Sequence, residues 1–209
     1  EIMRDVVSHV AEQVFIPLTV GGGIRSVSDM RLMLNAGADK ISINTAAVEN
    51  PELIKAGSVH FGSQCIVLGL DAIRSKDFSN DDPHWTVRVR TGNAGGVDAG
   101  LDAIEWAIEA VELGVGEIVV NSIDADGTGE GYDVELLKAL NQVINVPVVA
   151  SGGAGNKKHI FDALTAGEAD AALAASIFHY GTYSIAEVKE YLFDHGLPIR
   201  MNTDITKDR

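Results

Sequence analysis

The stretch that decides the fold is VVASGGAGNKKHIFDALTAGEADAALAASIF, which runs from Val148 to Phe178. It predicts a strand ending in glycines, then a helix, then a second strand ending in small residues. Similar text, LTVGGGIRSVSDMRLMLNAGADKISINTAAV, runs from Leu18 to Val48. The matched residues are Gly22 with Gly152, Gly23 with Gly153, Asp39 with Asp170 and Thr45 with Ser176. A strand–loop–helix–strand unit therefore occurs twice, which predicts two similar binding points for a ligand with two similar ends.

Length and composition indicate one globular domain over residues 1–209, with 46% apolar and 22% charged residues. The net charge of −14 argues against nucleic acid as a partner, because no basic stripe is present to neutralise phosphates. No apolar run reaches the roughly 18 residues that a membrane helix needs, and no basic and apolar leader opens the chain. The single cysteine, Cys65, suits a reducing compartment, so we expect a cytoplasmic protein.

Strands that are apolar on both faces alternate along the chain with amphipathic helices, which indicates a parallel sheet covered by helices. The six strands are predicted at Ile16–Val20, Lys40–Asn44, Gln64–Leu70, Glu117–Asn121, Val146–Ala150 and Ala171–Ala175. The helices that follow are predicted at Ser26–Asn35, Pro51–Ala56, Leu101–Leu113, Val134–Val143, His159–Ala166 and Ser184–His195. Predicted N-caps are Ser26, Asn50 and Ser184, with Glu187 at the capping-box position after Ser184. Several successive strand ends carry glycine or polar residues, and this distribution favours a (βα)8 TIM barrel over a doubly wound sheet.

A complete barrel has eight strand–helix units and about 250 residues. The chain opens with a helical pattern from Glu1 to Val14 that no strand precedes. We therefore expect a barrel that lacks its first two strands, truncated at the N-terminus. The segment from Arg74 to Gly100 breaks the alternation because it is polar and glycine-rich. It is predicted to be a long functional loop, with one strand at Trp85 to Val89.

Four strand ends have the residues that phosphate binding needs. Glycines after two strands, Gly22-Gly23 and Gly152-Gly153, let main-chain amides approach an anion without a Cβ in the way. The pairs Asn44-Thr45 and Ala175-Ser176 add a side-chain donor beside further amides. Glycine after a strand is often only a turn, but the internal repeat places such pairs on neighbouring strands twice. We expect two phosphate sites.

Asp71 ends an otherwise apolar strand, so its carboxylate is expected at the mouth of the barrel. A partly desolvated carboxylate there suits general acid–base catalysis, and the alternative is a helix N-cap. Further along, Asp124 and Asp126 have the spacing of two carboxylates on the same side of an extended segment. One of them is a candidate for catalysis or for binding substrate hydroxyls, and the alternative is a turn before Gly127.

The six histidines show no metal-ligand spacing, and no serine or cysteine lies in a nucleophile-elbow sequence. We therefore expect no metal, no cofactor and no covalent catalysis.

Four long motifs resemble a known family. They are FIPLTVGGGIRSVSDMRLMLNAGADKISINTAAVENPELI, FGSQCIVLGLDA, GEIVVNSIDADGTGEGYD and VPVVASGGAGNKKHIFDALTAGEADAALAASIFH. This sequence is similar to the cyclase subunit of imidazole glycerol phosphate synthase, the HisF family, over nearly the whole chain. The resemblance excludes the segment from Arg74 to Gly100 and the tail after Arg200.

The resemblance implies a (βα)8 barrel duplicated from half-barrels, and a lyase of histidine biosynthesis. The implied reaction takes ammonia and phosphoribulosyl-formimino-AICAR phosphate (PRFAR), a substrate with a phosphate at each end. The implied products are imidazole glycerol phosphate and AICAR. A glutaminase subunit or fused domain at the opposite face of the barrel would supply the ammonia through the barrel interior.

The resemblance also implies roles for particular residues. Asp71 matches one of two catalytic aspartates of the family, and Asp126 matches a carboxylate near the hydroxylated linker of the substrate. Positions matching the phosphate site of one half-barrel are Gly23, Asn44 and Thr45, and those matching the other are Gly127, Gly153, Ala175 and Ser176. Positions matching the ammonia entrance and channel are Lys40, Glu117 and Gln64.

The family's other catalytic aspartate and its substrate-contacting lysine lie on and after the first strand, outside residues 1–209. The basic residues that the family carries in its long loop are replaced here by Asn93 to Gly100, and Asp-Ala-Lys-Arg is replaced by Asp71-Ala72-Ile73-Arg74. Two alternatives remain: the sister isomerase of the same pathway, and a non-catalytic phosphate-binding fragment. We expect little cyclase activity from residues 1–209 alone.

Overall fold

Both copies of the repeat fold in the same way. A computed structural model describes residues 2–75, 83–92 and 95–201. The helices are α1 (Ile2–Ala11), α2 (Val27–Asn35), α3 (Thr45–Glu49), α4 (Glu52–Phe61), α5 (Ala103–Glu112), α6 (Val134–Asn141), α7 (Lys157–Thr165), α8 (Ser176–His179) and α9 (Ile185–Asp194). The strands are β1 (Thr19–Gly21), β2 (Lys40–Ile43), β3 (Ile66–Arg74), β4 (Trp85–Val89), β5 (Val97–Asp102), β6 (Glu117–Ser122), β7 (Val148–Ser151) and β8 (Ala171–Ala172).

The matched helices α2 and α7 are each 9 residues long and begin after a side-chain N-cap. The Ser26 side chain accepts from the main-chain N–H of Asp29, and the Asn156 side chain accepts from that of His159. Such caps satisfy an N–H group that has no partner within the first helical turn. The predicted Ser26 cap is confirmed, while α7 begins two residues before the predicted His159.

The matched aspartates make the same hydrogen bond in both copies. Asp39 Oδ2 accepts from the main-chain N–H of Leu18 at 2.8 Å, and Asp170 Oδ2 accepts from that of Val148 at 2.8 Å. Each bond connects the start of one strand to the residue just before the next. The residue inserted in the second copy, Glu168, takes a left-handed conformation with φ of 59°. The insertion is therefore absorbed in the turn, and both strand–helix–strand units keep their geometry.

Six strands form a parallel wall in the order β1-β2-β3-β6-β7-β8, with every neighbouring pair parallel. A helix crosses between successive parallel strands, as parallel pairing requires. The wall with its covering helices is part of a (βα)8 barrel, so the predicted fold class is confirmed.

The prediction of a long loop from Arg74 to Gly100 is wrong where the structure describes this segment. Strand β3 continues to Arg74, β4 pairs with it antiparallel, and β5 pairs with β4, so a hairpin extends the sheet. The predicted strand Trp85–Val89 is confirmed. Apolar and polar residues alternate in both strands, but β4 carries tryptophan and valines, whereas β5 reads Val-Asp-Ala-Gly-Leu-Asp, and its glycine and aspartates are residues that strands disfavour. Residues 76–82 and 93–94 lie outside the described part.

The two faces of the parallel wall differ in chemistry. Side chains that point toward the helices are apolar and buried, namely Ile41, Ile43, Ile66, Leu68, Leu70, Ile118, Val120, Val148 and Ala150. Because successive side chains alternate across a strand, the residues between them lie on the inner face. That face carries charged and amide groups, among them Lys40, Asn44, Asp71, Glu117 and Asn121. The expectation of strands that are apolar on both faces therefore holds only for the helix-facing side.

Two predicted helix caps have different outcomes. Ser184 and Glu187 form the expected capping box at the start of α9. Asn50 does not cap the helix after it, because it closes α3, and Pro51 stands before the first residue of α4. Within residues 2–75, 83–92 and 95–201, no helix has the length and apolar character that crossing a membrane requires.

Candidate active site at the carboxyl edge of the sheet

The carboxylate of Asp71 lies at the carboxyl edge of the wall, where three side chains donate hydrogen bonds to it. Asn121 Nδ2 lies 2.9 Å from Asp71 Oδ1. Asn44 Nδ2 lies 2.8 Å and Thr91 Oγ1 lies 2.5 Å from Asp71 Oδ2. The donors come from the ends of β2 and β6 and from the turn after β4. Asp71 is not a helix N-cap, because β3 continues past it to Arg74.

The orientation of the Asn44 amide is determined by its acceptors. Its Nδ2 donates both to Asp71 and, at 3.2 Å, to the main-chain oxygen of Arg88. Its Oδ1 is buried and has no hydrogen-bond partner among the described residues. The Asn44 side chain therefore offers an acceptor, not a donor, to anything that binds beside Asp71.

A pocket of about 460 Å³ opens beside Asp71. It is lined by Gly22, Gly23, Asn44, Thr45 and further residues that include Arg25 and Arg90. The φ angles of Gly22 and Gly23 are 94° and 72°, a conformation that favours glycine, and a Cβ at either would meet nothing within 4 Å. Backbone conformation, and not crowding, therefore requires these two glycines, and the lining holds two guanidinium groups as well as the carboxylate of Asp71.

The second glycine-rich end lies across the wall and forms a cleft of about 40 Å³. Five of the predicted site residues line it, namely Gly127, Gly152, Gly153, Ala175 and Ser176. Crowding requires glycine at this end, because a Cβ at Gly153 would lie 1.9 Å from the main-chain oxygen of Gly131. The Gly131 N–H also donates to the oxygen of Gly153 at 2.8 Å. The two ends have similar residue types and follow matching strands of the repeat, but the first is open and the second is narrow.

Asp124 and Asp126 do not lie on one side of an extended segment, so that prediction is wrong. The chain turns here, with the N–H groups of Ala125 and Asp126 both donating to the oxygen of Ser122. Asp124 Oδ2 accepts from the main-chain N–H of Arg74 at 2.6 Å and so connects this turn to the end of β3. Asp126 is exposed and lies beside Gly152 of the second cleft, since a Cβ added to Gly152 would be 3.3 Å from the Cβ of Asp126.

The structure brings together the two residues that the resemblance assigns to the ammonia entrance. Lys40 and Glu117, at the amino ends of β2 and β6, form an ion pair with side chains 29% and 16% exposed. Gln64 is not part of this pair. It lies in a short 3-10 helix, is exposed, and its Nε2 is 3.4 Å from the main-chain oxygen of Phe61.

Sequence reasoning gave no role to two side chains that contact Asp71. Asn121 is the last inner-face position of β6, which strand alternation alone identifies. Thr91 reaches the site through the turn after β4. That turn is held on α3, because the N–H of Arg90 donates to Thr45 Oγ1 at 2.9 Å and its guanidinium pairs with Glu49. Arg90 has a left-handed φ of 57°, which non-glycine residues rarely adopt.

The described residues contain no cluster of three or more His, Cys, Asp or Glu side chains with metal-binding geometry. What the edge does offer is the hydrogen-bonded carboxylate of Asp71, several amide and hydroxyl groups, and two glycine-rich strand ends.

A parallel strand–helix wall with a hydrogen-bonded carboxylate between two glycine-rich strand ends defines a partial (βα)8 barrel with a candidate ligand site at its mouth. The sequence profile of the family described as histidine biosynthesis protein matches residues 1–184. A relative from Nostoc sp., imidazole glycerol phosphate synthase subunit HisF, is 56% identical over 199 residues, which cover 95% of this chain and 75% of the relative. The protein of the same name from Dehalococcoides mccartyi is 54% identical over 199 residues, with the same coverage.

The chain therefore belongs to the histidine biosynthesis protein family and, within it, to the HisF subunits. The resemblance carried by the four motifs is confirmed, and a role in histidine biosynthesis follows from it. The comparisons concern whole sequences, so the roles of individual residues stay predictions.

Proposed function

We propose that this chain is the cyclase of imidazole glycerol phosphate synthase, converting PRFAR and ammonia to imidazole glycerol phosphate and AICAR. The observation that carries the proposal is the place of Asp71 in the strand order. Its strand, β3, lies between β1 and β2, which end in the open glycine pocket, and β7 and β8, which end in the narrow cleft. A ligand held by a phosphate at each end would present its middle to this carboxylate.

Asp71 would act as general acid and base during ring closure. It would accept a proton as a new C–N bond forms and return it to the departing group, a role for which carboxylates are suited when positioned within hydrogen-bond reach. A carboxylate oxygen has about two lone-pair sites. Oδ2 already accepts two side-chain hydrogen bonds and Oδ1 accepts one, from Asn121. Oδ1 is therefore the oxygen we assign to proton transfer.

The open pocket would hold one phosphate through the main chain of Gly22 and Gly23 and the hydroxyl of Thr45, with Arg25 and Arg90 adding positive charge. The buried Oδ1 of Asn44 cannot bind a phosphate oxygen, because both are acceptors.

The narrow cleft would hold the second phosphate through Gly127, Gly152, Gly153, Ala175 and Ser176, with exposed Asp126 beside it for the hydroxyl groups of the linker.

Ammonia would enter at the opposite edge. Lys40 and Glu117 close the inner face at the amino ends of their strands, so their ion pair would have to open or shift for ammonia to pass. A glutaminase subunit or fused domain docked at that edge is the expected source.

Ammonia dependence tests the proposal most simply. The product of the complete gene is incubated with PRFAR, with and without an ammonium salt, and imidazole glycerol phosphate and AICAR are quantified by chromatography. The cyclase requires ammonia and forms both products in equal amounts. Conversion of the isomerase substrate without ammonia would instead assign the chain to the sister isomerase. No turnover of either substrate would favour a non-catalytic protein.

A further inference from the structure

Asn121 contacts Asp71 on one side and a glycine-rich strand end on the other. It stands on β6 beside Asp71 on β3 and beside Ser151 on β7, according to the strand register. Neighbouring residues in register on parallel strands direct their side chains to the same face. The Asn121 amide therefore lies on the inner face, between Asp71 and Gly152, which follows Ser151.

The amide has one orientation that its surroundings allow. Its Nδ2 lies 2.9 Å from Asp71 Oδ1, and an amide oxygen in that place would set two acceptors against each other. Its Oδ1 then faces Gly152, where a Cβ would lie 2.8 Å away. The absence of a side chain at Gly152 is thus what gives the Asn121 amide its room.

Asn121 also differs from the other two donors in the oxygen that it holds. Asn44 and Thr91 both donate to Oδ2, so either one can hold that oxygen when the other is lost. Among the described residues, Asn121 donates the only side-chain hydrogen bond to Oδ1. Without it, the carboxylate is held at Oδ2 alone, and the broad minimum of its Cβ–Cγ torsion allows Oδ1 to shift.

We propose that Asn121 is a positioning residue that fixes the orientation of the Asp71 carboxylate. The proposal rests on the proposed function of Asp71 and adds the group that aims its reacting oxygen. Asn121 acts through Asp71, so its loss lowers the rate of the chemical step and leaves substrate binding at the two glycine-rich ends nearly unchanged. Misplacing a catalytic group by about 1 Å costs on the order of 100-fold in rate.

The test uses the complete gene product, saturating ammonia and varied PRFAR. Asn121→Leu keeps the size of the side chain and removes the donor, and we expect kcat to fall about 10- to 100-fold with KM changed by less than about 3-fold. Asn121→Thr restores a hydroxyl donor on a residue that suits a strand, and we expect it to recover at least about a third of the wild-type kcat. Asn121→Asp sets two carboxylates together and is expected to be the slowest variant.

Asn141→Leu is the matched control. It makes the same chemical change on α6, where the Asn141 amide donates to the main-chain oxygens of Leu137 and Gly167, away from the mouth. We expect a lower melting temperature and an unchanged kcat. If Asn121 contributes to folding alone, Asn121→Leu behaves like Asn141→Leu, with a lower melting temperature and an unchanged kcat. Asn121→Thr then has no lost kcat to recover, and this result would overturn the proposal.

The proposal and the proposed function fail in different ways. A wild-type protein without ammonia-dependent turnover refutes the cyclase assignment. An active wild type with a kcat in Asn121→Leu within about 2-fold of its own refutes the positioning role alone. If Asn121→Leu does not fold, Asn121→Val replaces it, because valine has the shape of threonine without its hydroxyl, and the same split between kcat and KM is expected.

Discussion

Lys40 and Glu117 form an ion pair across the inner face of the wall, from strands β2 and β6 that are separated by β3. They stand 77 residues apart in the chain. Both lie at the amino edge, opposite the edge that carries Asp71. Because their side chains are only 29% and 16% exposed, removing either leaves a partly buried charge without its partner.

This pair should contribute more coupling free energy than a surface pair. We expect a double-mutant cycle of Lys40→Met and Glu117→Gln, measured by urea unfolding, to give an interaction of about 1–3 kcal/mol. The control is Lys158–Asp162, an i,i+4 pair with side chains 68% and 32% exposed, for which about 0.3–0.5 kcal/mol is typical. Equal coupling in both cycles would show that Lys40–Glu117 behaves as a surface pair.

Gly152 should be a glycine whose replacement disturbs Asp71 through Asn121. A Cβ there would lie 2.8 Å from Asn121 Oδ1 and 2.9 Å from the main-chain oxygen of Ser122. Gly152→Ala must therefore displace the Asn121 amide, and through it the carboxylate of Asp71. We expect its kcat to fall at least about tenfold, measured as ammonia-dependent turnover of PRFAR.

Gly181→Ala separates this effect from backbone strain. Gly181 has a φ of 67° but meets nothing within 4 Å, so alanine there suffers only the cost of the left-handed conformation, about 1 kcal/mol. We expect it to lower stability and to leave kcat unchanged. If Gly152→Ala and Gly181→Ala have the same kcat, crowding against Asn121 has no catalytic consequence.

Tyr132 should make stability depend on pH in the alkaline range. Its hydroxyl donates to the main-chain oxygen of Leu173 at 2.9 Å, and burial raises the pKa of Tyr132 to about 12. The ordinary pKa of tyrosine is about 10, so the unfolded chain loses this proton first. The stabilisation is fully present below about pH 10 and is lost as pH rises from about 10 to about 12.

Denaturant unfolding of the wild type and Tyr132→Phe across pH 8 to 12 checks this. We expect the difference in unfolding free energy between the two proteins to be constant up to about pH 10. Above that pH the wild type should lose stability relative to Tyr132→Phe, because phenylalanine has no proton to lose. Parallel curves throughout that range would show that the Tyr132 proton is not linked to folding.

The sequence was sufficient for those parts of the fold that depend on local patterns. The repeat predicted two strand–loop–helix–strand units, and its matched residues Asp39 and Asp170 make the same contact in both. Strand β5 escaped prediction because its alternating pattern contains glycine and two aspartates, which strands disfavour, and because it is stabilised by pairing with β4.

The site was predictable to the extent that it depends on strand ends. Asp71 and the glycines follow from their places after apolar strands. The roles of Asn121 and Thr91 depend on which strands lie side by side, since their partner Asp71 is 50 and 20 residues away in the chain. Asp124 and Asp126 were misplaced because a turn and an extended segment are both compatible with alternating aspartates before glycine.

Replacing Asp71 with asparagine tests the central claim most directly. Asp71→Asn keeps the shape of the side chain and removes the proton acceptor, while the glycine-rich ends remain intact. The measurement is ammonia-dependent turnover of PRFAR together with calorimetric binding of inorganic phosphate, with Asp98→Asn on β5 as the control. We predict a loss in kcat of about 100- to 10,000-fold in Asp71→Asn, with phosphate affinity within about 3-fold of the wild type. Turnover close to that of the wild type would contradict the assignment of Asp71 as the catalytic acid and base.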